Sequence, residues 1–563
     1  MEARWIVAEP FSGQSSIDWT QICGTPCILE LLKRKRFADA GQVDSFLWPR
    51  LRSLADPFLL PNMQAAVERI LRAIDAREKI VLFGDYDVDG VTSLALLSEV
   101  LRAFGSEAAL FLPLRIEEGY GLSAESVERC LQQHAPELLI ALDCGTSSAA
   151  EIAQLNARGV DTIVLDHHEP KAVLPECIAV VNPKADAASN FQYLCSAGVV
   201  FKLCHALLKA RPLPEFDLRE HLDLVALGTV ADIVPLQAEN RVLVQRGSVQ
   251  LAHSSRPGVR KLLEVAAVSA PVAAEDIGFR LGPRLNAAGR LATAEKALRL
   301  LITRDEVEAD LLARELDMQN RERQIVEKAI FAAAEEQARE HALRDAAIVV
   351  GARDWHPGVL GIVASRLARK YCRPTIVIGF DDRGLGKGSG RSIEGLSLVE
   401  ALVQCERHLE KFGGHEMAAG LTLREENFAA FADAFRAAAR EILTDEQLQP
   451  CLRVDHELTF RELNHDLLKW HEMLQPFGSG NPQPTFIAHN VSPVIAPQTV
   501  KEKHLALRLR QENYFRRAIF FDGATAPLPE PPWDIAFRIS SEVYDGETRL
   551  QMQVQAIRSA APR

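Results

Sequence analysis

Four short motifs in this 563-residue chain hold the residue types that could do chemistry. The first is Gly84-Asp85-Tyr86-Asp87-Val88-Asp89-Gly90, three carboxylates in five residues. Such side chains repel one another unless cations neutralise them, although an Asp-rich turn can also serve only to cap a helix. It is not an EF-hand, because the later glutamate is missing and the loop runs straight into an apolar helix. The second motif is Leu142-Asp143-Cys144-Gly145, whose Asp either caps the helix that follows or joins a metal site. The third is Leu165-Asp166-His167-His168-Glu169, paired imidazoles flanked by acids, a composition suited to metal ligation. The fourth, Gly228-Thr229-Val230-Ala231-Asp232, ends an apolar helical stretch in an acid.

Together Asp87, Asp89, Asp143 and Asp232 carry four negative charges, which two divalent cations balance. Burying such a cluster without metal raises its pKa values and is costly. Oxygen-rich ligation with one or two imidazoles suits Mn²⁺ or Mg²⁺ better than a thiolate-loving ion.

Elements of regular spacing must hold these motifs. Short apolar runs at 79–83, 108–112, 138–142, 162–165 and 178–181 read as strands, and 91–104, 124–133 and 149–158 as helices between them. Strands spaced by such helices imply right-handed crossovers and a parallel sheet, whose ligands gather outside the carboxyl ends of the strands. The acidic motifs fall at those ends. From 290 to 350 there is neither Gly nor Pro, which predicts a helical connector, up to a single long helix. A second α/β unit follows, with strands at 347–350 and 375–378 around a helix at 359–370. Past about 452, Leu505, Leu507 and Leu509, and again Leu550, Met552 and Val554, alternate with polar or small neighbours, as in a small β-barrel or sandwich.

Composition narrows the class without naming a substrate. At 47% hydrophobic and 25% charged the chain reads as globular, with several compact units. No apolar run is long enough to span a bilayer, and the first ten residues do not read as a secretory signal. None of the ten cysteines shows CxxC spacing, so reduced thiols in a cytoplasmic protein are expected. A net charge of −12 opposes general nucleic-acid coating, but leaves room for one basic groove.

The four motifs, in this order, resemble the DHH phosphoesterase superfamily, named for the triplet present here as Asp166-His167-His168. Within it the chain resembles the RecJ family, bacterial single-strand-specific 5′→3′ exonucleases. The likeness extends to 282–290 (Gly-Pro-Arg-Leu-Asn-Ala-Ala-Gly-Arg), 355–366 (Trp-His-Pro-Gly-Val-Leu-Gly-Ile-Val-Ala-Ser-Arg), 413–420 (Gly-Gly-His-Glu-Met-Ala-Ala-Gly) and 476–482 (Pro-Phe-Gly-Ser-Gly-Asn-Pro). It implies an α/β fold: an N-terminal segment at 1–50, a DHH parallel-sheet domain at 51–289, a helical connector at 290–345, a DHH-associated α/β domain at 346–448, and an OB-like barrel at 449–563.

The resemblance also implies roles. Asp87, Asp89, Asp143, His167 and Asp232 become the ligands of two divalent cations, Mn²⁺ or Mg²⁺, with Asp143 bridging. Asp166 and His168 support them, and His168 and His415 join the catalytic set. Phe83 stands where some relatives place a metal-binding histidine, with Asp85 as the residue to compensate. The two cations activate water for phosphodiester hydrolysis, so no protein nucleophile is needed. Arg115, Ser389 and Arg391 become contacts for a 5′-phosphate end, where glycines let backbone amides approach and Arg supplies a fork. Gly414 and His415 are expected at the scissile phosphate, and Arg280, Arg284 and Arg290 along the strand. In the barrel, Lys501, Lys503, His504, Arg508, Arg510, Tyr514, Arg516 and Arg517 offer the basic and ring mixture that binds single strands.

The function implied is release of mononucleotides from single-stranded DNA in repair and recombination, by a cytoplasmic monomer working with single-strand-binding protein and a helicase. Two other readings remain open at this point. One is a DHH hydrolase of small substrates such as oligoribonucleotides, cyclic dinucleotides or pyrophosphate; the extra barrel and long connector favour a polymer. The other is a catalytically dead scaffold, against which all five ligand positions are present.

Overall fold

The structure is a computed structural model that describes residues 3–13, 16–114, 118, 121–291, 293–342, 344–525, 527–544 and 547–560. Near the N-terminus lie α1 (Pro26–Arg34), α2 (Ala40–Leu47) and α3 (Met63–Ala76). The parallel sheet then begins: β1 (Ile80–Phe83), α4 (Val88–Ala103), β2 (Ala109–Phe111), α5 (Ala124–His134), β3 (Leu138–Leu142), α6 (Ala149–Ala157), β4 (Asp161–Leu165) and β5 (Ala179–Val181). The strands are parallel, in the order β2-β1-β3-β4-β5. Every residue of β1 and β3 is buried, which is why these strands read as unbroken apolar runs. The chain leaves β1 for β2 on one side and returns to β3 on the other. That reversal opens a crevice at the carboxyl ends of β1 and β3. Three further helices pack beside the sheet: α7 (Ser196–Ala210) against α4 and β4, α8 (Leu222–Ala231) against α4 and α7, and α9 (Ala238–Ala252) against α8.

The stretch without Gly or Pro is not one helix. After α10 (Gly282–Leu291) it forms α11 (Glu295–Ile302) and α12 (Glu306–Ala342). The break has a local cause: Asp305 Oδ1 accepts the Glu308 N–H at 2.8 Å and so starts a new helix. At 37 residues, α12 is about 55 Å long.

Contacts divide the chain into two compact units. One contains Trp5–Gly282, Leu298–Ala309 and Arg453–Arg563; the other contains Pro283–Ala297 and Asp310–Leu452. In the second unit a mixed sheet comprises β6 (Ile348–Arg353), β7 (Thr375–Phe380), β8 (Leu385–Arg391), β9 (Lys411–Gly414) and β10 (Ala418–Arg424), with α13 (Pro357–Tyr371) between β6 and β7. Its order is β9-β10-β8-β7-β6, with only β6 and β7 parallel.

The first unit also holds a closed barrel: β11 (Phe486–Pro493), β12 (His504–Gln511), β13 (Tyr514–Phe520), β14 (Trp533–Tyr544) and β15 (Glu547–Ser559). The ring runs β11-β14-β15-β13-β12 and closes where Ser492 and Pro493 pair with Arg510 and Leu509. Its apolar interior is shared with the N-terminal segment. Cys27, Ile28, Leu31 and Leu32 of α1 and Val43 and Leu47 of α2 join one core with Leu458, Phe460, Leu467 and barrel residues. Among the described residues, no helix is long and apolar enough to cross a membrane.

Candidate metal centre

The carboxyl end of the parallel sheet gathers the aspartates of the four motifs, whereas Glu169 is exposed and pairs with Lys184 at 3.2 Å. Asp87 is the N-cap of α4, and its carboxylate accepts the N–H groups of Asp89 and Gly90 at 2.9 and 3.1 Å. Glycine is required at 90, because a Cβ there would lie 2.5 Å from the Asp85 carbonyl oxygen. Asp143 follows β3 at φ +63°, a left-handed conformation that Asp tolerates better than most residues. Its N–H donates to Leu165 O at 2.9 Å, tying the turns after β3 and β4 together. Asp232 closes α8 as its C-cap.

His167 stands at the centre. Its Nε2 lies 3.8 Å from Asp89 Oδ2, 3.5 Å from Asp143 Oδ1 and 3.4 Å from Asp232 Oδ2. Donor atoms fall into three groups, each within 4.8 Å: Asp89–His167–Asp232, Asp143–His167–His168 and Asp85–Asp87–Asp143. Asp143 belongs to two of them. Both ring nitrogens of His167 and Asp232 Oδ2 are buried with no hydrogen-bond partner among the described residues. Buried polar atoms are rarely left so. An imidazole facing three carboxylates, with its own nitrogens unengaged, fits a divalent cation.

The surrounding residues orient this donor set. Asp166 accepts the Thr146 N–H at 3.0 Å and the His167 N–H at 2.7 Å, and its Oδ1 lies 2.7 Å from His168 Nδ1. The first turn of α7 presents its N–H groups to Asp89: Ser196 N to Oδ2 at 2.7 Å and Ala197 N to Oδ1 at 2.8 Å. The Ser196 hydroxyl donates to Asp143 Oδ1 at 2.9 Å. Gly228 lets α8 approach, since a Cβ there would meet Thr92 Oγ1 at 2.6 Å, Ala197 Cβ at 2.7 Å and Asp89 Oδ1 at 2.9 Å.

Electrostatics follow from the crowding. Burial, then repulsion from Asp87 and the other acids, raises Asp143 well above the carboxylate range. Asp89 rises by burial and by Asp87, against the opposing amides of Ala197 and Ser196. Asp232 rises by burial and by Asp89 and Asp87. Burial and the nearby His168 lower His167 to about 3, which keeps it neutral and able to ligate. Burial would lower His168 as well, but its bond to Asp166 and the surrounding carboxylates outweigh that and raise it to about 9. Asp166 is held below its usual range, because His168 and Thr146 outweigh its burial. The charge is thus sorted: a neutral imidazole among acids that need a counter-cation, beside a charged imidazole paired with its own carboxylate.

Comparison with known proteins follows this geometry. The family model for the DHH family, N-terminal domain, matches residues 79–229, that for the DHHA1 domain matches 345–441, and that for the RecJ OB domain matches 454–556. The single-stranded-DNA-specific exonuclease RecJ of Dickeya dadantii is 39% identical over 94% of this chain and 96% of its own. The chain belongs to the RecJ family. The RecJ of Bacillus subtilis is 36% identical over 91% of this chain, which spans 64% of that longer protein. The crystal structure of Thermus thermophilus RecJ in complex with Mn²⁺ superimposes with a TM-score of 0.84, at 31% identity, over 99% of this chain and 80% of that one.

The structure brings together six of the residues that the RecJ resemblance singled out, Asp87, Asp89, Asp143, His167, His168 and Asp232. Phe83 instead stacks on Phe111, with ring centroids 5.0 Å apart, inside the apolar core. Asp85 is fully buried beside Asp87 and Asp143. In the second unit Arg391 Nη1 donates to Ser389 Oγ at 3.1 Å and Gly390 O at 2.7 Å. No carboxylate among the described residues pairs with that guanidinium, and burial lowers its pKa. Gly414, at φ +147°, has no room for a Cβ, which would lie 2.4 Å from Ala418 O. His415 sits exposed in that hairpin turn. Arg280 turns back onto Asp276 at 3.0 Å and onto the Ala266 carbonyl at 2.7 Å, and Arg284 pairs with Asp317 at 2.9 Å. Arg290 lies in α10, and Arg115 falls outside the described residues. Sequence reasoning missed Ser196, and it read Gly228 only as part of the motif that ends at Asp232. Small residues opening an apolar helix at Ser196-Ala197-Gly198 were the available signal.

Proposed function

We propose that this chain hydrolyses single-stranded DNA from a 5′ end and releases mononucleotides, with two divalent cations, Mn²⁺ or Mg²⁺, held by Asp87, Asp89, Asp143, His167 and Asp232. The observation that carries the reading is His167: a buried neutral imidazole with unengaged nitrogens, 3.4–3.8 Å from three carboxylates. When bound, such cations lower the pKa of water and stabilise charge on the scissile phosphate. The chain's own residues do the positioning. Ser196 and Ala197 fix the Asp89 carboxylate, Ser196 fixes Asp143, and Asp166 orients the His167–His168 pair. His168, charged and one-third exposed, can contact a phosphate oxygen from beside the cluster.

Recognition of the 5′ end is assigned to Arg391 and Ser389 at the end of β8, a guanidinium with no carboxylate partner among the described residues and a hydroxyl beside it. Gly414 and His415 contribute backbone and imidazole to the scissile phosphate. On the barrel, Arg508 pairs across the strands with Arg517, and Arg510 with Phe515, all four exposed. That stripe of cations and a ring suits a single strand, whose bases can stack. Arg516 is not part of it, because its guanidinium is spent on the carbonyls of Phe460 and Leu463. Ten free cysteines accord with a reducing, cytoplasmic setting, and we assign the chain to DNA repair beside single-strand-binding protein and a helicase.

The test is digestion of single-stranded DNA labelled at the 5′ or the 3′ end, with Mn²⁺, Mg²⁺ or EDTA, beside a duplex and an RNA of the same sequence. Metal-dependent loss of the 5′ label as mononucleotide, with the duplex spared, supports the reading. Turnover of dinucleotides alone would move it to a small-substrate hydrolase.

A further inference from the structure

A cavity of about 780 Å³ lies within the first unit, and none of the metal-cluster residues lines it. Its walls come from the segment after α1, the start of α9 and the 476–482 loop. Two cations meet there. Lys35 Nζ donates to Asn481 Oδ1 at 2.7 Å, and the Asn481 amide is locked by the carbonyls of Leu474 and Pro476 at 2.9 and 2.7 Å. Arg241, only 2% exposed, donates to the carbonyls of Phe46, Leu474 and Met473 at 2.7, 3.0 and 2.9 Å. Lys35 Nζ and Arg241 Cζ both lie over the Phe46 ring, 4.9 and 3.7 Å from its centroid.

No carboxylate among the described residues pairs with either cation. The acids of the cavity are already engaged: Glu239 with Lys202 at 2.9 Å, and Asp39 with the Gln42 N–H at 2.8 Å. Burial, together with the neighbouring Arg241, outweighs the attraction of Asp455 and pushes Lys35 down to about 8, and burial pushes Arg241 down to about 9. Two desolvated like charges are what an anion would relieve. The first turn of α9, whose Gln237 makes no side-chain cap, opens onto the same space. Phe37 adds a half-buried ring to the wall, 5.4 Å from Phe46.

We propose that this cavity is a second, non-catalytic site for a nucleoside 5′-phosphate, either free or as one residue of a bound single strand. The phosphate sits against Lys35 and the start of α9, and the base against Phe37. Its size falls in the range of small-ligand sites. The choice of a nucleotide rests on the proposed strand hydrolysis, whereas the anion site rests on the cavity alone. The site also touches the metal centre's support. Leu236 and Gln237 line it; Ile233, at φ +64°, lies between Asp232 and these two residues, and Ala238, at φ +47°, follows them.

The experiment is calorimetric titration of the full chain in EDTA with dTMP, inorganic phosphate and a short oligothymidylate, for the wild type, Lys35→Gln, Lys35→Arg and Phe37→Leu. An Arg391→Gln background removes the guanidinium assigned to the 5′-phosphate end. The expected result is that Lys35→Gln weakens both dTMP and phosphate by about tenfold, the loss of one charge-assisted hydrogen bond. Lys35→Arg restores them, and Phe37→Leu weakens dTMP but not phosphate. Binding of the oligomer alone, with the same Lys35 dependence, assigns the site to the strand. Binding that ignores Lys35, or binding of none of the three, overturns the proposal, while failure of the cleavage assay bears only on the proposed function.

Discussion

Ser196 reaches two metal-site carboxylates at once, its hydroxyl donating to Asp143 Oδ1 at 2.9 Å and its N–H to Asp89 Oδ2 at 2.7 Å. One residue at the start of α7 therefore fixes acids contributed by two different turns. Ser196→Ala deletes only the hydroxyl bond. Groups that orient metal ligands typically matter 10–100-fold in affinity. Mn²⁺ affinity by calorimetry should fall by roughly tenfold, with the melting temperature in EDTA little changed. An unaltered affinity would show that Asp143 needs no such support.

Gly228 is where α8 comes closest to Asp89. A methyl group there must displace Thr92, Ala197 or Asp89 itself, so Gly228→Ala should destabilise the protein by about 1–3 kcal/mol. Because Asp89 is among the atoms displaced, Mn²⁺ binding should weaken in the same variant. Loss of stability with full metal affinity would place the strain elsewhere.

The metal-free protein should lose stability as pH rises. Asp89, Asp143 and Asp232 are held above the usual carboxylate range by burial and by one another. Acids raised on folding stabilise the fold while protonated. That contribution is whole below about pH 4 and is lost as pH climbs through their folded values. His168, raised to about 9, acts with the same sign. His167, lowered to about 3, acts oppositely, and only below its ordinary value of about 6.5. Melting temperatures in EDTA should therefore fall between about pH 6.5 and 9, and saturating Mn²⁺ should flatten the slope. A curve in EDTA that rises over that range would contradict the assigned charge states.

Arg391 has no carboxylate partner among the described residues and is half-buried beside Ser389. Arg391→Gln should reduce the preference for a 5′-phosphorylated over a 5′-hydroxyl strand by roughly tenfold, with cleavage chemistry retained. The ratio of the two initial rates reads this out. An unchanged ratio would remove Arg391 from end recognition.

Asp143 has a left-handed backbone as well as two sets of metal-site neighbours. Asn shares the tolerance for that conformation, whereas Ala does not. Asp143→Asn and Asp143→Ala should both abolish turnover, but only the alanine variant should also lose stability in EDTA. Residual activity in the asparagine variant would argue against Asp143 as the shared ligand.

Much of the parallel-sheet unit was legible because its strands are buried on both faces and read as short apolar runs. The run predicted at 138–142 is β3, and the acids predicted at strand ends stand there. Ser196 was illegible for the opposite reason. Its role arises from contacts 53 and 107 residues away along the chain, and nothing in its immediate neighbours encodes them. Phe83 is apolar where its side chain faces the core and stacks against Phe111. The connector's composition favoured helix throughout, but the break at Asp305 depends on one capping bond that composition does not weigh. Barrel closure depended on β11 meeting β12, a pairing that alternation within either strand leaves open.

The core that α1 and α2 share with the barrel has a consequence for synthesis. Leu31, Leu32 and Leu47 share a core with one another and with residues from Leu458 onward, roughly 400 residues later. At ribosomal speeds of about 5–20 residues per second, the apolar side of those first helices waits roughly 20–80 s for its cover. The α1–α2 segment, made well before the barrel, is thus among the last to finish folding. Premature termination ahead of the barrel would leave it as a sticky end.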